Sequence, residues 1–135
     1  MRTYEAASTA PPATAWALMA RPDRWHEWAP QLRGAWGLGE PEVRAGAVGA
    51  ARLLWAVPVP ARILSVDPGR SWRWQVGPVH FDHRVEPAPG GGSRVGVDMS
   101  APGPLESVLA ATYGPLVAVL VRRLAAVAAR DAGRA

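Results

Sequence analysis

The clearest pattern of apolar and polar positions lies in the last third of the chain, from Gly103 to Arg130. Mostly apolar residues recur there at spacings of three and four: Leu105, Leu109, Thr112, Leu116, Leu120, Leu124 and Val127. This spacing predicts a helix with one apolar stripe that packs against another layer. Gly114 and Pro115 interrupt it, because proline lacks an N–H donor and clashes with the preceding turn. We therefore predict a short helix that ends near Tyr113 and a longer helix after it.

The beginning of the chain predicts a strand followed by two short helices. Met1–Ser8 leads into a proline pair, and residues before proline favour extended backbone. Proline suits a first helical turn, which predicts a helix over Pro12–Ala20. In the second helix Trp25 and Trp28 lie three residues apart and share a face, and Pro30 ends it.

From residue 31 the chain changes to short extended runs separated by proline and glycine, a pattern typical of an antiparallel meander. Six strands are predicted: Gln31–Leu38, Ala47–Val57, Ala61–Val66, Ser71–Val76, Val79–Glu86 and Ser93–Ala101. Pro58 and Pro60 are predicted to end the second of these strands, because proline cannot donate to a sheet ladder. With the first strand included, the sheet has about seven strands.

Three of these runs alternate apolar and polar residues, which assigns one face of each strand to the interior. The inward positions are Trp72, Trp74 and Val76 in the fourth run, Val79, Phe81, His83 and Val85 in the fifth, and Val95, Val97 and Met99 in the sixth. His83 is thus the one titratable residue on an otherwise apolar face.

The order of elements predicts an α+β fold in which a curved antiparallel sheet wraps around a long C-terminal helix, with two short helices after the first strand. A chain of 135 residues is long enough for one domain and too short for two, so a single domain over residues 1–135 is expected. Such a sheet has more inner surface than one helix can cover. The uncovered part predicts a cavity.

Composition excludes several kinds of function. All 15 basic residues are arginine and most lie singly along the chain, whereas a nucleic-acid footprint needs a clustered face, so no nucleic-acid partner is expected. The absence of cysteine excludes disulfides, thiolate zinc sites and thiol nucleophiles. No apolar run approaches the roughly 20 residues of a membrane span, and no signal peptide is recognisable. We expect a cytoplasmic protein without a membrane span.

Several short motifs resemble one family. They are Ala15-Trp16-Ala17-Leu18, the run from Arg21 to Pro30, Val66-Asp67-Pro68-Gly69-Arg70, Trp72-x-Trp74, and Glu86-Pro87 followed by Gly91-Gly92-Ser93-Arg94-Val95. In order and spacing they resemble the polyketide cyclase/dehydrase-like branch of the START-related (SRPBCC) superfamily, over about Thr3 to Arg130. The resemblance implies a helix-grip fold whose deep hydrophobic cavity, between the sheet and the C-terminal helix, takes lipids, polyketides or other small apolar ligands.

The expected ligand-binding residues combine the inner faces of the strands with the C-terminal helices: Trp72, Trp74, Phe81, His83, Val97, Met99, Leu109, Tyr113 and Leu116. Tryptophan offers a large apolar surface and an N–H group to a planar ligand. Core packing alone also explains such residues, and for Trp16, Trp25 and Trp28 the helical spacing favours core packing.

Two side chains are candidates for acid–base chemistry. His83 has an ordinary pKa near 6.5 that suits proton transfer, and Tyr113 could assist it. No carboxylate lies beside His83 on the same face, so a structural, hydrogen-bonded histidine is the stronger interpretation. His80 and Asp82 share the opposite face but nothing supplies further ligands, so we predict no metal site and no cofactor.

Three functions follow as hypotheses. The preferred one is binding of a small hydrophobic, aromatic or polyketide-like molecule in the cavity. The second is an enzyme, a polyketide cyclase or aromatase in which His83 and Tyr113 move protons and the walls hold a reactive geometry. The third is a ligand-free module that binds a protein partner through its apolar C-terminal helix. A homodimer is left open.

Overall fold

The structure is a computed structural model that describes residues 1–29, 34–53 and 57–133. Seven strands form one antiparallel sheet: β1 (Arg2–Ser8), β2 (Gly34–Trp36), β3 (Val48–Leu53), β4 (Val57–Asp67), β5 (Ser71–Val76), β6 (Val79–Pro87) and β7 (Ser93–Ser100). Their order is β1-β7-β6-β5-β4-β3-β2, a meander whose last strand lies beside the first. The predicted α+β helix-grip fold is confirmed.

The helices are α1 (Pro12–Ala20), α2 (Leu105–Thr112) and α3 (Gly114–Gly133), and two short 3-10 helices span Pro22–Glu27 and Pro89–Gly91. The 20-residue α3 packs against α1, β1 and β7, so it lies on the inner face of the sheet. The Pro22–Glu27 helix is fixed beneath α1 by two indole groups. Trp25 Nε1 donates to the carbonyl of Met19 at 2.8 Å, and Trp28 Nε1 donates to that of Leu18 at 2.9 Å.

The prediction that proline ends a strand was wrong in β4. Pro58 and Pro60 lie within this strand, where they face Arg52 and Ala50 of β3. Within the described residues, β5 pairs with β4 only from Ala61 onward, so the segment before Ala61 has a neighbouring strand on one side. A strand with a free side accommodates proline because the missing donor can face away from the ladder. The predicted residues 31–33 of one strand and 54–56 of another lie outside the described residues.

The C-terminal helices break where the sequence predicts, but their apolar face is not continuous. α2 and α3 meet at an angle of 58°. Gly114 begins α3 directly beneath the hydroxyl of Tyr4, in a space that a Cβ atom would fill. Beyond the bend the predicted stripe is buried at Leu120 and Leu124 and half-buried at Leu116 and Val127, whereas Thr112, just before the bend, is exposed. The fully buried face of α3 also includes Val117 and Val121, which the stripe left out.

Candidate functional site

A cavity of about 220 Å³ lies between the inner face of the sheet and the helices. Its buried end is formed by residues such as Trp72, Val97 and Leu124. Half-buried lining residues occur at the β5–β6 turn, for example Val76, and on α2, where Leu109 reaches the cavity. The more accessible end of the cavity is therefore between that turn and α2.

The lining includes seven of the predicted ligand-binding residues: Trp72, Trp74, Phe81, His83, Val97, Leu109 and Tyr113. Met99 and Leu116 are not among the lining residues. Met99 is on the expected face of β7 but is completely buried in the core, and Leu116 lies beyond the helix bend, where Val117 lines the cavity instead.

Sequence reasoning missed Trp25 and Trp28 as cavity residues, because their helical spacing was explained by core packing. Both are buried, and both also line the cavity. The available signal was their shared face followed by the small residue Ala29, which lines the cavity as well. Trp16 is buried but lies outside the lining, and its Nε1 donates to Glu42 at 3.1 Å. The prediction of core packing thus holds for all three tryptophans, and Trp25 and Trp28 line the cavity in addition.

The wall of the cavity contains a stack of three nearly parallel rings. Trp72 lies between Trp25, at a centroid distance of 5.4 Å and an angle of 8°, and His83, at 3.8 Å and 5°. Trp74 meets all three rings edge-on, at centroid distances between 5.3 and 6.0 Å. Phe81 lies 6.5 Å from His83 and extends the aromatic surface. Both parallel and edge-on arrangements are favoured for aromatic rings.

Three buried nitrogens of this wall have no hydrogen-bond partner among the described residues. They are Nε1 of Trp72, Nε1 of Trp74 and Nδ1 of His83. Buried polar atoms are normally paired, and leaving one unpaired costs about 1–3 kcal/mol. The indoles from β5 thus differ from those of Trp25 and Trp28, whose N–H groups donate to main-chain carbonyls.

His83 is uncharged in the folded protein near neutral pH. Burial lowers the pKa of this imidazole from 6.5 to about 3, and smaller opposite effects come from the backbone of Trp72 and the charge of Asp98. An imidazole with so low a pKa is a weak base, and at neutral pH it is not in the imidazolium form that acts as a general acid. The proton-transfer role considered for His83 therefore loses its electrostatic support.

No charged side chain lines the cavity within the described part of the chain. Tyr113 and His83 supply the polar groups other than the indoles. The described residues also include no group of three or more histidine, aspartate or glutamate side chains that could hold a metal. His80 and Asp82 lie on β6 opposite Gln75 and Arg73 of β5.

The opposite face of the same strands carries a network of charges. The guanidinium of Arg84 on β6 donates two bonds of 3.1 Å to the carboxylate of Asp98 on β7. Its Nη1 also donates to Glu5 of β1 at 3.1 Å and to Glu86 at 3.3 Å. Gly96 makes room for this guanidinium, since a Cβ there would lie 2.8 Å from Arg84 Cζ. The hydrogen bonds from Arg84 lower the pKa of Asp98.

Among the residues that the structure describes, no single helix combines the length and the apolar character needed to cross a membrane.

Comparison with solved structures finds the same fold in several bacterial proteins. The protein NE0264 from Nitrosomonas europaea is 13% identical, with a TM-score of 0.75 over 96% of this chain and 94% of that one. XoxI from Bacillus cereus is 14% identical, with a TM-score of 0.72 over 93% of each chain. MLL2253 from Mesorhizobium loti is 16% identical, with a TM-score of 0.69 over 96% of this chain and 98% of that one. At these identities the likeness shows the fold alone.

Comparison of sequences is more specific about the family. A family model described as polyketide cyclase / dehydrase and lipid transport matches residues 3–130. No curated protein matches the chain.

Proposed function

Because the chain belongs to the polyketide cyclase/dehydrase and lipid transport family, we propose that its cavity binds a small, mostly apolar aromatic molecule. Membership, which the sequence motifs had predicted, is consistent with hydrophobic ligands but names none. The observation that supports the proposal is the cavity itself, a hollow of about 220 Å³ walled by stacked rings and free of charged side chains in its described lining.

The size of the cavity narrows the class of ligand. An engineered cavity of about 150 Å³ binds benzene, and pockets for drug-sized ligands are about 300–1,000 Å³. A volume of about 220 Å³ lies between these and fits one or two fused rings. It is too small for a long poly-β-ketone chain or a long fatty acyl chain in a single extended or folded form. Among the ligands expected from the sequence, the small aromatic class is favoured.

The walls favour a flat ligand over a flexible one. Trp72 and Trp74 meet at 78°, so the cavity offers both a ring face and a ring edge. Planar aromatic ligands gain from both contacts beyond the area that they bury. They also lose little conformational freedom on binding.

The alternatives have less support. A cyclase that relies on His83 for proton transfer would need an imidazole that titrates near neutral pH, whereas burial lowers the pKa of His83 to about 3. A ligand-free interaction module would be favoured by a solid interior, and the interior here is hollow.

A pair of matched variants on α2 tests the proposal. Leu109→Trp places a large ring in the cavity, because Leu109 lines it, whereas Val108→Trp is the same kind of change at a neighbouring position that is 56% exposed. Isothermal titration with naphthalene derivatives should show wild-type binding, an affinity at least about tenfold weaker for Leu109→Trp, and a change below about twofold for Val108→Trp. No binding of one- or two-ring aromatics by the wild type, or tighter binding of palmitate than of any of them, would contradict the proposal.

A further inference from the structure

The four indole rings that line the cavity form two pairs that differ in their hydrogen bonds. Trp25, in the Pro22–Glu27 helix, and Trp28, which directly follows it, both donate to main-chain carbonyls of α1. Trp72 and Trp74, from β5, have no acceptor among the described residues although their Nε1 atoms are buried. The two pairs thus differ in whether the fold itself supplies an acceptor.

A buried donor without an acceptor lowers stability unless another molecule supplies the acceptor. The indoles of Trp72 and Trp74 differ in how freely each can reach such an acceptor. Trp72 is held between Trp25 and His83 in the ring stack and is 1% exposed. Trp74 is half-buried and makes edge-on contacts. Neither nitrogen is exposed, so a ring must turn before its N–H can reach a ligand. Trp72 has a parallel ring on each face, whereas Trp74 lies outside that stack and is half-buried, so its indole is the less enclosed donor.

The lining of the cavity also limits the charge that an acceptor group on the ligand can carry. No described lining residue is cationic, and His83 in the wall is neutral, so a carboxylate in the cavity would have no counter-charge. Burying an unpaired ion is far more costly than burying a neutral oxygen that accepts a hydrogen bond. An uncharged acceptor such as a carbonyl oxygen meets the requirement of the indole without that cost.

We propose that the ligand is an uncharged aromatic compound with a carbonyl-type oxygen, and that the Nε1–H group of Trp74 donates to this oxygen. The inference rests on the proposed function and adds the polar group by which the ligand is recognised.

Indole proton signals in NMR test this without any substitution in the cavity. The probes are 1-tetralone and tetralin, two-ring compounds of similar size that differ by one carbonyl oxygen. With ¹⁵N-labelled protein, the Nε1–H signal of Trp74 should move downfield with 1-tetralone and much less with tetralin. The signal of Trp16, which donates to Glu42 outside the cavity, serves as the control and should not distinguish the two. Equal shifts of the Trp74 signal with both compounds would overturn the inference.

A second measurement uses affinity. Trp74→Phe removes the N–H group but keeps an aromatic ring, and the ratio of the Kd values for tetralin and 1-tetralone corrects for the volume that is lost. This ratio should fall by about fivefold relative to wild type, the size of one net hydrogen bond. Trp36→Phe, at an exposed tryptophan outside the lining, should leave it unchanged.

The outcomes separate the two proposals. If tetralin binds but Trp74→Phe leaves the ratio unchanged, or if 1-naphthoate binds more tightly than 1-tetralone, the recognition of a neutral carbonyl is wrong while the aromatic cavity stands. If neither tetralin nor 1-tetralone binds to the wild type, the proposed function itself fails.

Discussion

The two faces of β6 differ in whether their polar side-chain atoms have hydrogen-bond partners. On the inner face, His83 is buried with an unpaired Nδ1 beside two unpaired indole nitrogens. On the outer face, the guanidinium of Arg84, which is partly exposed, donates to Asp98, Glu5 and Glu86. Physical chemistry alone favours the reverse, because exposed groups can bond to water and buried groups cannot.

The difference separates the charge network that stabilises the sheet from the cavity wall that we propose binds a ligand. The Arg84 network joins β1, β6 and β7, so its hydrogen bonds stabilise the sheet itself. The unpaired nitrogens of the inner face lower stability in the absence of a ligand. Groups that weaken the free protein but line its cavity are typical of a binding site.

The largest expected effect is the loss of stability when the ring stack of the inner face is interrupted. Trp72→Ala removes the ring between Trp25 and His83, and truncation of a buried aromatic residue lowers the free energy of unfolding by about 3–5 kcal/mol. Denaturant titration measures this loss, with Trp36→Ala at an exposed tryptophan as the control, where a much smaller loss is expected. A loss below about 1 kcal/mol for Trp72→Ala would mean that the stack contributes little to stability.

The second effect is a pH dependence that belongs to the inner face. Burial lowers the pKa of His83 to about 3, so the unfolded chain binds a proton more readily than the folded one. The stability that neutral His83 contributes is present above pH 6.5, the ordinary pKa of the group, and is lost as the pH falls toward 3. Between pH 7 and pH 5 the loss from this one group is about 2 kcal/mol.

Unfolding curves of wild type and His83→Phe at pH 7, 6 and 5 measure this effect. In His83→Phe the free energy of unfolding should depend much less on pH. His80→Gln, at a histidine of the same strand that lies opposite Gln75, controls for the removal of one imidazole. Equal slopes in wild type and His83→Phe would show that His83 is not the group responsible.

The third effect belongs to the outer face. Arg84→Met leaves the carboxylate of Asp98 without its two guanidinium bonds, and we expect a loss of about 1–2 kcal/mol, reduced at high salt. Arg84 lowers the pKa of Asp98, so this stability is present above the unfolded pKa of about 3.9 and is lost as the pH falls below it. The two faces therefore lose stability in different pH ranges.

Stability measurements in low and high salt check this prediction, with Arg62→Met at an exposed arginine of β4 as the matched control. If both arginine variants change stability equally, the network has no special role.

The smallest expected effect concerns the space that Gly96 leaves for the guanidinium of Arg84 on the outer face. Gly96→Ala places a Cβ 2.8 Å from Arg84 Cζ and Nη1, so the guanidinium must move and the loss is about 1 kcal/mol. In the Arg84→Met background the same substitution should cost much less, because a shorter, uncharged side chain replaces the guanidinium. A double-mutant cycle gives the coupling, and strictly additive losses would rule out this explanation of the glycine.

Sequence reasoning succeeded where a local period decides the outcome. The alternation in β5 and β6 assigned Trp72, Trp74, Phe81 and His83 to the inner face, and these side chains line the cavity. It failed where tertiary geometry decides. Beyond the bend at Gly114 the predicted stripe residues Leu120 and Leu124 line the cavity, but Val117 lines it where Leu116 was expected.

The hydrogen bonds of the tryptophans show the same limit. Nothing in the chain near Trp25 or Trp74 distinguishes an indole that reaches a carbonyl from one that does not, because the acceptors of Trp25 and Trp28 come from α1. The pairing depends on how the helices pack on the sheet. The hydrogen bond proposed for Trp74 therefore follows only from the three-dimensional structure, whereas the cavity could be predicted from the sequence.

If the cavity binds the ligand that we propose, the bend between α2 and α3 would let that ligand be exchanged while the core stays packed. α3 is anchored by buried residues such as Val121 and Leu124, whereas none of the eight residues of α2, all of them described, is fully buried. Detaching a segment of this kind requires much less free energy than unfolding the whole domain. Entry and departure of the proposed ligand would then be governed by one short helix, and substitutions that stabilise the sheet would not slow them.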